Sequence, residues 1–520
     1  MPIRMEEDPQ GQKRQNDNSG KGGGLSSLMR FLPLILLFVF KRPKLILPLL
    51  LVGAVWYFFF GGADMLNSFA SEGGGQNQYD TSQFSLGASL SEAEYDKAKV
   101  FAPLAYGSQN QLPRRVSLER FAPRRMHQGK QGSCVGWASA YAARTILEAQ
   151  AKNADPNSNT FSPAYLYNQI HLDGCQGAYM INAMRTMADE GSLPFREFRY
   201  DDRTCSNYPS SSQINKGRQY RIKGYNRLSL GGSNYKTDLM AIKQNIAQGA
   251  PVVIGMMVGG SFMSRMVGQK LWRPTQSDYS QRGYSGHAMC VIGYNDDYEG
   301  GSFQIMNSWG EDWGDDGIAW VRYKDFDYFT KEAYGLHPMG SGEKYDDSKL
   351  AVEFGLLDLA SQSTLSLKRK DDIVFQTTKP ISKGDKFKVL IANSIECNIY
   401  IFGRETDGSS YVLFPYTDKH SPYCGITGTR LFPKDYSMVA DDKGNKDYIA
   451  IVISKNEINF DQFNRAINQS RQSTYAGKVK EALGSQRITG VNFRAGSTIA
   501  FDADRKGKNA VGMVIEIDKM

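Results

Sequence analysis

QGKQGSCVGWASA, residues 128–140, sets one cysteine where a Gly/Ser-rich turn runs into a helix-forming stretch. The chain has only six cysteines in 520 residues. Ser133 is a candidate N-cap, and the apolar spacing of CVGWASAYAARTILEAQA predicts a helix that begins at Cys134. A thiol attacks as its thiolate, and the positive end of a helix lowers the pKa that this requires. A structural cysteine needs neither the turn nor the helix start.

Such a nucleophile needs a base, and the base needs a group to orient it. Of five histidines, His287 stands out, because GHAMCVIGYN puts a small residue before it and a β-run after it. Asn307, in NSWG at the end of another apolar run, is placed to accept from the imidazole, with Trp309 shielding the pair from water. Helical periodicity recurs in AYMINAMRTMADEG and TDLMAIKQNIAQG, which end on Gly191 and Gly249. PVVIGMMV, HAMCVIGYN, SFQIMNSW and GIAWVRY read as strands. Helices first and strands later predict an α+β domain.

In this order the motifs resemble the papain family of cysteine peptidases, over about residues 112–340. Gln128 stands ahead of Cys134 at the family's spacing for its oxyanion glutamine, although Gln131 also precedes the turn. GHAMCVIGYND and NSWGEDWGDDGIAWV match the His and Asn segments, with Trp313 as a second tryptophan, and GCQGA matches the substrate wall. The resemblance implies a two-lobed fold with a helical left lobe and a β-barrel-like right lobe. It implies catalysis by Cys134, His287, Asn307 and Gln128, substrate contacts from Gly177, Ala178 and Gly286, and no cofactor. It also implies a peptide or protein substrate. Three departures stand out. Val135 takes the place of the family's tryptophan, Ala178 replaces the second glycine of the wall, and no long helical inhibitory propeptide precedes the domain.

The rest of the chain sets the context. Residues 1–27 are polar and Gly-rich and read as a disordered cytoplasmic tail. LILPLLLVGAVWYFFF, residues 45–60, is apolar and uncharged; with Gly61, Gly62 and Ala63 it approaches the roughly 20 residues that span a bilayer. Lys41, Arg42 and Lys44 before it favour a cytoplasmic N-terminus and an external catalytic domain, within a membrane segment of 28–63. A hairpin formed with FLPLILLFVF at 31–40, or a cleaved signal, are the rival topologies. The net charge of +8 is not gathered into one run, which argues against nucleic acid as a partner. Residues 64–110 read as a linker with a short helical patch at SEAEYDKAKVF; part of it has the reach to lie across the cleft.

The peptidase domain is set at 111–342. From 350 to 520 the texture turns β-rich: KGDKFKVLIAN, NIYIFGRETDG and VLFPY resemble an accessory module of uncharacterised function appended to bacterial enzymes, and the domain is a candidate place for a protein partner. Outside the cytoplasm, Cys175 and Cys205 are expected to pair, as are Cys397 and Cys424 in the second domain. Cys290 reads as a buried thiol. No CxxC or His-rich cluster is present, so no structural metal is expected. The function expected is a membrane-tethered cysteine endopeptidase; a silent peptide-binding scaffold and an acyl or peptidyl transferase are the alternatives.

Overall fold

Val252–Val258 and Ser285–Asn295 pair antiparallel in the middle of an eight-stranded sheet, the frame of the right lobe. The computed structural model describes residues 3–7, 84–106, 110–230, 236–339 and 347–520. The proposed tail, the membrane segment 28–63 and the start of the linker therefore lie outside the described residues, apart from the strand Ile3–Glu7. Among the described residues no helix is long and apolar enough to cross a membrane.

Around the two central strands the sheet runs Tyr225–Arg227, Thr330–Leu336, Val252–Val258, Ser285–Asn295, Ser302–Met306, Ile318–Arg322 and Leu271–Trp272, with Arg115–Ser117 paired onto Ser285–Asn295. From Gly286 to Tyr294 every residue of its strand is buried, so both faces are covered. The left lobe is helical. Its main helix runs continuously through Cys134–Gly136, Trp137–Arg144 and Thr145–Lys152. The middle segment is wound as a π-helix, and all eight of its residues are buried. Pro163–Ile170 and Met180–Asp189 complete the lobe, the former capped by the Ser162 hydroxyl on the Tyr165 amide. The periodic run at 239–247 forms a helix capped by Asp238, and Gly249 ends it at φ +84°, where a side chain would be strained.

The expected β-rich domain is a two-sheet sandwich with helices outside. Ile399 and Ile401, Ile449, Ile451 and Ile453 point between the sheets, while Tyr400, Phe402, Ala450 and Val452 point out. The outer set packs on Phe463 and Ile467 of the helix Phe460–Gln469 and on Val479 of Tyr475–Leu483. This alternation follows from period-2 strands buried on both faces. Ile3–Glu7 adds an edge strand antiparallel to Tyr436–Ala440, with Met5 opposite Met438.

Two expectations change here. Residues 84–106 are not a linker: Phe84, Ala88, Tyr95, Val100, Phe101 and Leu104 are buried against both domains. The polar average over 64–110 hid these scattered apolar anchors. Cys397 and Cys424 do not form a disulfide. They stand opposite each other on paired strands as buried free thiols, and the Cys424 thiol is turned onto the Pro422 carbonyl at 3.6 Å. The Cys175–Cys205 disulfide is formed.

Candidate active site

Cys134 opens its helix, with the helix N-terminus behind it and Ser133 at the N-cap position. Ser133 does not cap through its side chain; its hydroxyl pairs with the Tyr200 phenol at 2.5 Å. The Tyr200 hydroxyl also donates to the Gln128 carbonyl at 2.6 Å, so one tyrosine braces both ends of the turn. That residue carried no sequence signal, since it comes from a loop remote in the chain.

The Ala288 amide donates to Cys134 Sγ at 3.4 Å, which holds the nucleophile beside His287, the preceding residue. His287 Nε2 and Asn307 Oδ1 are 2.7 Å apart, and the Trp309 indole stacks on the imidazole at 4.4 Å. Nδ1, the other ring nitrogen, is buried and has no hydrogen-bond partner among the described residues. Trp313 supports Trp309 edge-on at 5.8 Å and is fixed by its own N–H on the Phe262 carbonyl. Gln128 is fully buried: its Nε2 donates to the Gln131 carbonyl at 3.0 Å and its Oε1 accepts from Ser308 Oγ at 2.7 Å. Ser308, next to Asn307, thus ties the glutamine to the orienting segment, a link that sequence reading missed. Behind these groups lies a small cavity, no larger than a water molecule fills, lined by Met126, Trp137, Ala288 and Asn307 among others.

The cleft is filled by the chain itself. Residues 84–90 cross it as an extended strap. Gly87 and Ala88 donate to the Gly286 carbonyl at 3.3 and 3.1 Å, while Ala178 donates to Gly87 and accepts from Ser89 at 2.9 and 3.0 Å. The residues expected to contact substrate, Ala178 and Gly286, therefore grip the strap from both walls. Gly177, at φ +130°, lies beneath the Gly87 carbonyl, which a Cβ there would approach to 2.5 Å. Phe84 stacks on Trp309 at 4.7 Å, and Trp309 Nε1 donates to the Ser85 carbonyl.

Covered in this way, Cys134 and His287 are 0% exposed. Burial pushes the thiol up to about 12, against the amides of Ala288, Val135 and Gly87, which pull it down. Burial also drives the imidazole down to about 4, against the Asn307 hydrogen bond. In this state burial works against the thiolate expected at the helix start.

Half-buried Leu90 packs over Gly255 beside Met180. A Cβ on Gly255 would meet Leu90 Cδ2 and Met180 Cε, each at 2.5 Å. Glu332 pairs with Gly255 across the sheet, and its Oε1 accepts from the Ser91 amide at 3.0 Å. Burial raises this carboxyl to about 8, against the Ser91 amide and the Tyr334 hydroxyl. Among the described residues no cluster of three metal-ligating side chains occurs.

The region that holds this site resembles known proteins. Residues 120–333 match the model of the papain family cysteine protease, and the chain carries a papain-family cysteine peptidase domain. Over 205 residues it is 29% identical to an uncharacterised peptidase C1-like protein of Acanthamoeba polyphaga mimivirus, covering 38% of this chain and 63% of that one. Over 200 residues it is 28% identical to mouse (Mus musculus) cathepsin K, covering 37% and 54%. The chain thus spans less than two thirds of these relatives. A crystal structure of xylellain, a cysteine protease from Xylella fastidiosa, aligns with a TM-score of 0.40 at 22% identity, covering 50% of this chain and 97% of that one.

Proposed function

We propose that this protein is a cysteine endopeptidase held latent by its own residues 84–90. The observation that carries the reading is the grouping of Cys134, His287 and Asn307, with Gln128 beside them, under a strap bound to both cleft walls. With the strap withdrawn, water returns to the pair and the desolvation cost falls. Cys134 then passes its proton to His287 and attacks the peptide carbonyl. The free N–H of Gln128 Nε2 and the Cys134 amide serve the oxyanion. His287 returns the proton to the leaving amine and then activates water against the thioester. Asn307 holds the ring throughout, and no cofactor takes part.

The strap is itself a peptide, yet it is presented wrongly for attack. It runs parallel to the wall at Ala178, and it offers the Gly87 amide to the thiol. The test is peptide hydrolysis and epoxide labelling after Gly87→Leu, with Cys134→Ala as control. Turnover that survives Cys134→Ala would sink the reading.

We further propose that residues 45–63 tether the protein to a membrane with the peptidase domain on the oxidising face. The Cys175–Cys205 disulfide supports that side. A single crossing puts residues 3–7 and the C-terminal domain on opposite faces, whereas their edge pairing needs both on one face. A reporter fused after residue 520 should be active only in the oxidising compartment; activity in the cytoplasm overturns the placement. Disulfide trapping of Met5→Cys with Met438→Cys in intact membranes reads the number of crossings. A crosslink means the anchor enters and leaves; its absence means one crossing.

A further inference from the structure

We propose that the C-terminal β domain is the clasp that keeps the strap in the cleft, so that peptidase activity is released by loosening this domain's grip on residues 98–106. The inference rests on the peptidase reading above and adds where its control lies.

Beyond the cleft the strap turns through a short helix, Glu92–Tyr95, and then runs between the two domains. Its peptidase side is bonded at two places: the Arg227 amide donates to the Lys99 carbonyl and the Phe101 amide to the Arg227 carbonyl, both at 3.0 Å, and Gln244 accepts from the Leu104 amide at 2.9 Å and donates to its carbonyl at 3.0 Å. Its other side is bonded only to the C-terminal domain. The Val100 amide donates to the Lys419 carbonyl at 2.6 Å, and the Ser421 amide to the Val100 carbonyl at 2.9 Å. Further on, the Ala105 amide donates to the Thr429 carbonyl at 2.8 Å, and Arg430 Nε to the Ala102 carbonyl at 2.9 Å. Asn110 closes the run by exchanging two hydrogen bonds with the Thr429 backbone, at 2.8 and 3.0 Å.

Charges follow the same plan. Asp96 sits between Arg227 of the peptidase domain and Lys419 of the C-terminal domain. Lys99 pairs with Glu457 of the C-terminal domain. Removing the C-terminal side would leave the strap's amides at 100 and 105 without their acceptors. The cover that Arg430 gives Phe101 and Gly428 gives Leu104 would go as well.

The segment in the cleft is short and has Phe84, Leu86 and Leu90 as its larger anchors. Its occupancy therefore depends on how closely residues 98–106 tether it, as for any intramolecular ligand. A tether fixed on two sides keeps that local concentration high. Freeing one side turns a rigid tether into a loop and lets the cleft open.

Two substitutions in the full-length protein test this without touching the catalytic groups. Val100→Pro removes the amide that donates to Lys419 and leaves the two bonds to Arg227 intact. Asn110→Ala removes the link to Thr429 from a residue outside either core. The readout is the labelling rate of Cys134 by an epoxide thiol probe, with Gly87→Leu as the variant that frees the cleft directly. Each clasp variant should label about tenfold faster than the wild type, the effect of losing one to two net hydrogen bonds. Wild-type rates in both clasp variants, alongside fast labelling of Gly87→Leu, overturn the clasp and leave the peptidase reading standing. No labelling in any of the three, with unchanged melting temperatures, overturns the peptidase reading and the clasp with it.

Discussion

His287 Nε2 lies 2.7 Å from Asn307 Oδ1, while the face of the same ring rests on Trp309 at 4.4 Å. One contact fixes the rotation of the imidazole, and the other keeps water off it. Without Asn307 the ring keeps its pocket but loses its orientation. In the strap-released Gly87→Leu background, Asn307→Ala should lower kcat by about 100-fold, the low end of what a positioned acid–base group contributes. KM should hardly move, because the amide touches no substrate. A loss confined to KM would contradict the orienting role.

The pH dependence of thiol reactivity separates the latent from the open state. In the latent state the Cys134 thiol is held up to about 12 and His287 down to about 4, both chiefly by burial. Burial thus disfavours the thiolate–imidazolium pair at neutral pH. Alkylation of wild type should be slow at pH 7 and climb only in strong alkali. Gly87→Leu readmits water, which favours the charged forms, and its rate should already be high near neutrality. Superimposable pH profiles for the two proteins would show that the strap does not control the thiol.

Sequence made the candidate catalytic groups legible because their chemistry restricts residue type and order: a cysteine at a helix start, a histidine opening a strand, an asparagine closing another. The helices ending at Gly191 and Gly249 were legible for a similar reason, since a positive φ leaves few residues to choose from. The strap was legible only as a segment with the reach to cross the cleft, not as residues 84–90. It binds through backbone groups of Gly87, Ala88 and Ser89, which carry no side-chain signature, and its fit requires absence rather than presence. A Cβ on Gly87 would stand 2.1 Å from the Gly132 carbonyl oxygen, and one on Gly286 the same distance from that of Ala88. Tyr200 and Ser308 escaped for another reason, as each acts through a contact between distant segments. The π winding at 137–144 likewise leaves no mark in an Ala-rich run that any helix accepts.

Acid should weaken the fold through His337 at the domain interface. Its Nε2 faces Asn226 Nδ2 at 3.0 Å, its ring lies 4.5 Å from that of Tyr423, and burial with Lys223 nearby lowers it to about 3. A histidine held below its unfolded value contributes stability that is complete above about pH 6.5 and is lost as pH falls from there toward the folded value. Between pH 7 and pH 5 the loss from this residue is about 2 kcal/mol. Chemical denaturation at both pH values should show His337→Gln shrinking the wild-type drop by about that amount. An unchanged drop would mean that His337 is solvated in the folded protein.

Glu332 should set what the open cleft accepts where Leu90 now sits. Register partners on neighbouring strands face the same side, so Glu332 shares its pocket with the space above Gly255. Once the strap leaves, the carboxyl loses the Ser91 amide and keeps the Tyr334 hydroxyl at 3.4 Å. Under the strap burial raises it to about 8; water readmitted to the open cleft lowers it from there, and below the resulting value the protonated form suits an aliphatic side chain such as leucine. Above that pH the carboxylate favours a lysine or arginine tip reaching it. In the Gly87→Leu background, kcat/KM for an arginine peptide relative to its leucine counterpart should rise between pH 6 and pH 9. Glu332→Gln should flatten that rise and cut the arginine rate by roughly 10- to 100-fold, the worth of one charge-assisted hydrogen bond, with the leucine rate nearly unchanged. If the arginine-to-leucine ratio and its pH dependence survive Glu332→Gln, the pocket under Leu90 does not use this carboxyl, and the selectivity comes from Met180 and the cleft walls instead.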